Sequence, residues 1–334
     1  MAEWITARAA ELSHLSVFAD CFAADLYPLA MLLDPLHAND GDVLMRQGET
    51  AQFFLVIGAG SVVVTHTNAD GSTVETTVDA GQIIGEIALL RHSPRVATVR
   101  AVGEVTGWSG GDEAFDRMIE LPGVLAMLVR TARQRLAAFI TPIPIRLPDG
   151  TELLLRPVLP GDGARAERGA DGFSAETVFR RFMSPLELSS SLMSYLFQVD
   201  YVNHFAWVLV DSDDDIVGDV RFVRDENDRT AAEIAFIVAD EYQGRGVGSF
   251  LMKALMVAGG VSGVEKFTAC VLADNLAMRK ILDKYGAHWQ REDIGVVTTV
   301  IDVQEIRDVR LPAALKDRIR DVARQSAGRN RVHV

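Results

Sequence analysis

The segment from Gly85 to Thr98 combines residue types that could hold a cyclic phosphate on a sugar. Gly85 lets the backbone approach a ligand, and the turn that follows can direct several N–H groups at one anion. Arg95 adds a guanidinium that can neutralise a phosphodiester, while Glu86 can accept a hydrogen bond from a ribose hydroxyl. The alternative is a simple glycine turn carrying a surface ion pair between Glu86 and Arg95.

A second glycine-rich turn, Gln243-Gly244-Arg245-Gly246-Val247-Gly248, lies between an apolar strand pattern and an apolar helix pattern. Such a turn gathers unpaired N–H donors at the positive end of a helix dipole, which suits a pyrophosphate. Its spacing differs from the dinucleotide-binding fingerprint and from the Walker loop, whose lysine it lacks. The alternative is a helix-capping turn that binds no ligand.

The hydrophobic pattern around these two turns predicts two different domains. Short strands punctuated by glycine begin at Gly41 and predict a small β-roll, which a helical pattern closes. Pro142 and Pro144 cannot continue that helix, so the domain boundary is predicted there. The strands and helices that follow predict a mixed α/β domain. The predicted divisions are 1–141, 142–303 and a helical tail, 304–334.

The composition sets limits on the class of protein. A chain of 334 residues with 49% apolar and 24% charged residues predicts two globular domains, and no apolar run reaches the ~18–20 residues of a membrane span. The N-terminus lacks the features of a secretory signal, so a cytoplasmic location is expected. Cys21 and Cys270 cannot form a disulfide framework or a zinc cluster, and no metal is expected. A net charge of -13 argues against nucleic acid and anionic membrane as partners.

The segment from Gly85 resembles the phosphate-binding cassette of the cyclic-nucleotide-binding domain family. Upstream, Gly41-Asp42-Val43-Leu44, Gln47-Gly48-Glu49 and Gly58 to Gly60 also match that family's β-roll, so the resemblance covers roughly the first 140 residues. Val96 stands where cGMP-preferring members usually carry a hydroxyl, and valine cannot donate to guanine, which favours cAMP. The predicted cAMP contacts are Gly85, Glu86, Ile87, Ala88, Arg95 and Val96, with Gln134 or Arg135 as candidates for reaching adenine.

The second half is similar to the GNAT superfamily of N-acetyltransferases over roughly residues 150 to 303. The similarity rests on the Q-x-x-G-x-G turn, the strand before it, and the downstream Asn275-Leu276-Ala277-Met278 with Lys284 and Gly286. It implies that acetyl-CoA binds with its pantetheine along a strand backbone and its pyrophosphate in the glycine turn. The implied acetyl-CoA contacts are Phe236, Ile237, Val238, Gln243, Gly244, Arg245, Gly246, Val247, Gly248, Ser249, Asn275 and Lys284.

Glu233 is the predicted catalytic base. A lysine amine has an unperturbed pKa near ~10.4, so exposing its neutral form at pH 7 costs ~4–5 kcal/mol. A strand carboxylate near the thioester can take the proton directly or through water, and GNAT protein acetyltransferases carry a base at the corresponding place. The alternative is a Glu on an ordinary half-exposed strand. Leu282 replaces the tyrosine that many relatives use as general acid, and Tyr285 lies on another helical face, so the acid is unassigned.

The combined arrangement resembles the cAMP-regulated protein lysine acetyltransferases known from mycobacteria. This implies acetyl transfer to lysine side chains of target proteins, with autoinhibition relieved by cAMP. The segment from Gly161 to Phe182 and the C-terminal tail are the candidate lids. A small-amine N-acetyltransferase and a cAMP-responsive binding protein with an inactive GNAT fold are the alternatives. A DNA-binding cAMP receptor fits less well, because the second domain carries strands rather than a helix-turn-helix.

Three other features are predicted to be structural. The run from Asp211 to Asp215 imitates the start of a calcium loop, but Ile216 occupies the glycine position, so a solvated hairpin turn is expected. Cys270 lies in a strand pattern and is expected to be a small core residue. His204 and Trp207 could border an acceptor pocket, but core packing is the default interpretation.

Overall fold

A computed structural model describes residues 3–68, 71–159, 161–184 and 190–328. The contacts among residues divide the chain into two compact units, Met1–Arg135 and Leu136–Val334. The three domain ranges drawn from the sequence stay a prediction, and residues 329–334 of the predicted tail lie outside the described part. None of the helices in that part combines the length and the apolar character needed to cross a bilayer.

The first unit is an antiparallel β-roll flanked by helices, which confirms the predicted fold class. Its strands pair in the order β1-β6-β3-β4, with β2 on β6 and β5 on β3. The last helix continues past the boundary into the second unit. In chain order the elements are α1 (Glu3–Ser13), α2 (Tyr27–Leu32), β1 (Asp34–Ala38), β2 (Val43–Met45), β3 (Phe53–Thr67), β4 (Thr73–Asp79), β5 (Ile83–Ile84), α3 (Glu86–Arg91), β6 (Thr98–Gly111), α4 (Asp112–Ile119) and α5 (Val124–Ala138).

Glycine allows the long strand β3 to bend into this roll. The register between β3 and β6 shifts on both sides of Ala59. Gly60 has φ +85°, and a Cβ at that position would lie 2.3 Å from the carbonyl oxygen of Glu104. Any larger residue would therefore push β3 away from β6, which explains the requirement for glycine at this bend.

The second unit is an α/β structure built on one mixed sheet, as predicted. Its strand order is β13-β14-β12-β11-β10-β9-β8-β7. Only β11 and β12 pair in parallel among the described strands of this sheet. The elements are β7 (Ile143–Arg146), β8 (Glu152–Pro157), α6 (Asp162–Arg168), α7 (Ala175–Phe182), α8 (Ser190–Phe197), β9 (His204–Val210), β10 (Ile216–Arg224), β11 (Ala231–Val238), α9 (Val247–Ser262), β12 (Lys266–Leu272), α10 (Leu276–Asp283), β13 (Gln290–Asp293), β14 (Val296–Asp302) and α11 (Ala313–Ser326).

The core of the second unit lies between this sheet and α9. The rings of Phe205 and Phe222 stack 5.6 Å apart between centroids, and the buried Trp207 donates from Nε1 to the Ala254 carbonyl at 3.3 Å. Burying each such aromatic side chain contributes roughly 1.5–3 kcal/mol. Helix α11 packs against α9 and β8, with Ile319 and Ala323 buried. The described part of the tail is therefore part of this core.

Candidate functional sites

In the first unit, Arg95 is seated directly against the glycine turn. Its side chain is 5% exposed, and it donates from Nη1 to the Gly85 carbonyl at 3.0 Å and from Nη2 to the Phe53 carbonyl at 2.5 Å. Gly85 has φ +92°, and a Cβ there would lie 2.7 Å from Nη1 of Arg95. Burial lowers the pKa of Arg95 below its ordinary value, although the guanidinium stays charged at neutral pH. The turn therefore holds a buried cation beside α3.

Glu86, the first residue of α3, is 1% exposed and has a cationic partner that the sequence did not predict. Arg135 donates from Nη1 to Glu86 Oε1 at 2.7 Å and to the Ile83 carbonyl at 2.6 Å. Its Nη2 donates to Gln82 Oε1 at 2.9 Å. These bonds fix the carboxylate that is predicted to bind ribose. A contact of Gln134 or Arg135 with adenine stays a prediction.

The remaining predicted nucleotide contacts are the neighbours of Glu86 and Arg95 in the sequence. Ile87 and Ala88 are buried in the first turn of α3, where backbone N–H groups lack helical partners. Val96 is half-buried, and its carbonyl oxygen lies 2.6 Å from Nδ1 of His66. The six cassette residues thus share one short segment, with one buried cation and one buried anion.

In the second unit, the parallel strands β11 and β12 separate partway along their length. Their register runs from Ala231 beside Lys266 to Glu233 beside Thr268, and no later pair is found between these two fully described strands. Beyond Glu233, β12 no longer pairs with this edge of β11, and its backbone can bond another extended chain, although the Val238 carbonyl also accepts from Gln243 Nε2 at 3.1 Å. A cavity of ≈ 540 Å³ lies at the separation.

Most of the predicted acetyl-CoA and catalytic residues line this one cavity. Arg245 is the exception. The residues brought together are Glu233, Phe236, Ile237, Val238, Gln243, Gly244, Gly246, Val247, Gly248, Ser249, Asn275 and Lys284.

The N-terminus of α9 opens into the cavity through its glycine turn. Gly246 precedes the helix with φ +92°, and Gly244 has φ +72°. The first N–H groups of a helix have no helical acceptor, so this end can receive an anion. Lys284 reaches the first turn of α9, since its Nζ lies 3.4 Å from Ser249 Oγ. The Asn275 side chain is already used as the cap of α10, accepting from Met278 N at 3.1 Å.

Arg245 points away from the cavity, toward the β7–β8 hairpin. Its Nε donates to Asp149 Oδ2 at 2.6 Å, its Nη2 donates to Thr151 Oγ1, and its guanidinium lies 5.0 Å from the Tyr242 ring centroid. The hydrogen bond from Arg245 holds the pKa of Asp149 well below its ordinary range. The Arg245 side chain is thus engaged outside the cavity, and only its backbone N–H stays a predicted contact for CoA.

Helix α7 supplies cavity-lining residues that the sequence treated only as part of a lid. They are Thr177, Arg180, Arg181 and Phe182, and Met183, which directly follows the helix and the predicted lid, also lines the cavity. Thr177 ties the helix to the glycine turn, because its Oγ1 donates to Asp240 Oδ1 at 2.6 Å and receives a bond from Gln243 Nε2 at 3.0 Å. Ser174 caps this helix, since its Oγ accepts from Thr177 N at 3.3 Å. Helix α11 contributes no described residue to the lining.

The surroundings of Glu233 are partly charged. Its side chain is exposed on β11 and lines the cavity. Burial and the nearby Arg221 lower the pKa of Arg181 to about 10, against the opposing influence of Asp219 and Glu233. Glu233 therefore shares the cavity with a guanidinium that is still charged at neutral pH.

The features expected to be structural divide into confirmed and corrected ones. Trp207 is buried, and neither it nor His204 lines the cavity. Asp211 organises a hairpin turn by accepting from the backbone N–H groups of Asp213 and Asp215, each at 3.0 Å. The core prediction for Cys270 was wrong, since the separation of β11 from β12 leaves it half-buried in the cavity wall. Among described residues, no group of three or more His, Cys, Asp or Glu could hold a metal ion.

Comparison with known proteins matches each unit to a family and the whole chain to one kind of protein. Residues 35–121 match the cyclic nucleotide-binding domain, and residues 152–288 match the acetyltransferase (GNAT) domain. The chain is 50% identical to acetyltransferase Pat of Mycolicibacterium smegmatis, over 97% of this chain and 98% of that protein. The solved structure of a cAMP-binding acyltransferase from Mycobacterium smegmatis is 47% identical, with a TM-score of 0.52, covering 98% of this chain and 99% of that one.

Proposed function

This chain belongs to the family of acetyltransferases in which a cyclic-nucleotide-binding domain precedes a GNAT domain, and we propose that it transfers acetyl groups from acetyl-CoA to protein lysines under control of cAMP. The observation that carries the proposal is the cavity between β11 and β12. It places Glu233 at one end of a free strand edge and the N-terminus of α9 at the other.

The cavity supports each step of the transfer. Pyrophosphate binds at the N–H groups of the turn before α9, helped by Lys284. Pantetheine pairs with the backbone of Phe236 to Val238 as an additional strand. Glu233 takes a proton from the lysine ammonium, the neutral amine attacks the thioester carbonyl, and CoA leaves as the thiolate. The proton that the attacking nitrogen still carries passes through water to the departing thiolate, because Leu282 has no proton to donate.

The first unit supports cAMP as the regulator. Arg95 carries a buried positive charge for the cyclic phosphate, and Glu86 is the acceptor for the ribose hydroxyl. Val96 offers no hydroxyl to guanine, so cAMP binds more tightly than cGMP. The same six cassette residues therefore set both affinity and base preference.

Autoinhibition is assigned to α7. This helix lines the cavity that holds Glu233 and is tied to the glycine turn through Thr177. In the inhibited state α7 blocks the path of a protein lysine to Glu233, and this state must open before transfer. A ligand opens it only by binding the open state more tightly than the closed one. Typical couplings of ~1–3 kcal/mol then give ~5–150-fold changes in affinity, so basal activity is detectable.

The deciding experiment measures acetyl transfer from acetyl-CoA to a lysine-containing protein and to a polyamine, each with and without cAMP. We expect transfer to the protein that rises with cAMP. Preferential acetylation of the polyamine would support the small-amine alternative. If acetyl-CoA and cAMP both bind but neither acceptor is acetylated, the result would support an inactive GNAT fold.

A second measurement tests the gate, meaning the opening and closing of the acceptor site by α7. An acceptor peptide that binds only the open state must tighten cAMP binding by the same factor by which cAMP tightens peptide binding. Titrating cAMP with and without a non-reactive peptide gives the first factor, and titrating that peptide with and without cAMP gives the second. Equal cAMP affinities, alongside cAMP-dependent peptide binding, would rule out the two-state gate. The expected cytoplasmic location stays a prediction.

A further inference from the structure

The path of the acyl donor along β11 determines where its acyl group ends. On the proposed function, pyrophosphate lies at the turn after Val238, and pantetheine runs back along the strand edge toward Ile234. The thioester therefore arrives beside Glu233, where β11 and β12 begin to separate. Because β11 and β12 are paired before Glu233, the acyl chain turns away from the strand edge there, into the space between β12 and α7. Cys270 lies at this space, two residues beyond Thr268.

Two sulfur-containing side chains close that space. Met183 follows the last residue of α7 and takes a left-handed backbone conformation, with φ +52°, that ends the helix. Its Sδ lies 3.8 Å from Sγ of Cys270 on β12. Both residues are half-buried and both line the cavity together with Glu233. The contact joins the end of the helix to the strand in the wall of the cavity.

The Cys270 side chain is a small, uncharged part of the cavity lining rather than a nucleophile. Burial, with smaller contributions from Glu233 and Glu292, raises the pKa of its thiol above the ordinary value. The thiol therefore stays protonated at neutral pH and packs as a small hydrophobic group.

We propose that Met183 and Cys270 form the end wall of the acyl pocket and set the length of the acyl chain that the enzyme transfers. The Cys270 thiol donates to Sδ of Met183 at 3.8 Å, and two sulfur atoms in contact at this distance leave no gap for a methylene. An acetyl methyl group stops before this wall. A butyryl chain must displace Met183, and with it the end of α7.

The test is a competition between acetyl-CoA and butyryl-CoA in one reaction, with saturating cAMP and one acceptor protein. Met183→Ala and Cys270→Ala are each expected to raise the butyryl-to-acetyl ratio of kcat/KM by ~10-fold or more over wild type, since one or two methylenes in an apolar pocket discriminate to that extent. The ratio is internal to each reaction, so a loss of folded enzyme cancels. Phe179→Ala is the control, because it removes a 40% exposed side chain from α7 outside the cavity lining.

The outcomes separate this proposal from the proposed function. An unchanged ratio in both alanine variants, with wild type active on acetyl-CoA, would overturn the end wall alone. An equal rise in Phe179→Ala would assign the effect to loosening of α7 and would also overturn it. A wild-type enzyme that transfers no acetyl group to protein would instead contradict the proposed function. A Cys270→Leu variant should shift the ratio in the opposite direction by narrowing the pocket.

Discussion

Arg135 and Glu86 form an ion pair with Nη1 and Oε1 2.7 Å apart, and the carboxylate is almost fully buried while the guanidinium is partly exposed. The pair connects α5, the last helix of the nucleotide-binding unit, to the first residue of the cassette helix α3. Arg135 also donates to the Ile83 carbonyl. A ligand that bonds to Glu86 therefore competes with or adds to a contact that positions α5.

The first prediction concerns recognition of ribose by Glu86. cAMP should bind ~10-fold or more tightly than 2′-deoxy-cAMP, because a buried acceptor left without its hydroxyl costs about 1–3 kcal/mol. Glu86→Gln should reduce this difference, and Arg135→Gln should weaken cAMP binding while keeping the difference. Calorimetry with both nucleotides measures these values. Equal affinity of wild type for the two nucleotides would show that Glu86 does not bind the sugar hydroxyl.

The second prediction concerns the buried cation. Arg95→Ala should weaken cAMP binding by ~2 kcal/mol or more, about 30-fold, because it removes the charge partner of the cyclic phosphate. Arg46→Ala is the matched control, since Arg46 is an exposed arginine in the same unit and its ion pair is with the exposed Glu49. It should change the affinity less than ~2-fold. Calorimetric titration that gave both variants the same dissociation constant would contradict the assignment.

The third prediction tests Glu233 as the base. Glu233→Gln should lower turnover by ~10²-fold and leave the affinity for acetyl-CoA nearly unchanged, because the side chain acts on the amine and not on CoA. Single-turnover rates and direct CoA binding separate the two effects. Unchanged single-turnover chemistry would remove Glu233 from the mechanism.

The fold could be predicted from the sequence because strand, helix and glycine patterns report local backbone geometry. Gly85 and Gly246 both adopt positive φ directly before a helix. The ligands assigned to these two turns rest on the resemblance to two families and stay predictions. Side-chain direction was harder to predict. Arg245 lies inside the correctly identified turn, yet Asp149 on a distant hairpin attracts its side chain away from the cavity.

Cys270 and Arg135 also have surroundings that could not be predicted from the local sequence. The strand pattern around Cys270 predicted burial, but the separation of β11 from β12 depends on pairing between strands and not on the sequence of either one. The contact of Arg135 with Glu86 likewise depends on how α5 packs against α3. Such relationships between distant segments are set by tertiary packing, so local spacing could not identify them.

The fourth prediction concerns pH and His204. Burial, together with the nearby Arg221, lowers the pKa of His204 to about 4, although Asp219, Asp200 and a backbone hydrogen bond act in the opposite direction. The unfolded chain, with a histidine pKa near ~6.5, binds the proton more strongly, so stability is complete above that value and falls as pH decreases toward about 4.

The midpoint of thermal unfolding should therefore drop between about pH 7.5 and about pH 5, with a contribution from His204 on the order of 1–2 kcal/mol. His204→Gln should reduce the dependence on pH over this interval. His288→Gln, at an exposed position in the same unit, is the control and should retain it. Identical pH dependence in wild type and His204→Gln would show that His204 does not contribute.

The last prediction concerns Arg245 as a positioning residue for the pyrophosphate turn. Its guanidinium joins Asp149 and Thr151 of the β7–β8 hairpin to the turn whose N–H groups face the cavity. Because the pKa of Asp149 is held well below its ordinary range, the pair stays charged across the neutral range. Arg245→Met should raise the KM for acetyl-CoA several-fold with little change in kcat, since the turn binds donor and transition state alike. Asp149→Asn should have the same effect, and the double variant should lose little more, because both changes break one link.

A direct contact of the Arg245 side chain with CoA would behave differently: Arg245→Met would then weaken donor binding strongly, and Asp149→Asn, by freeing the guanidinium, would strengthen it.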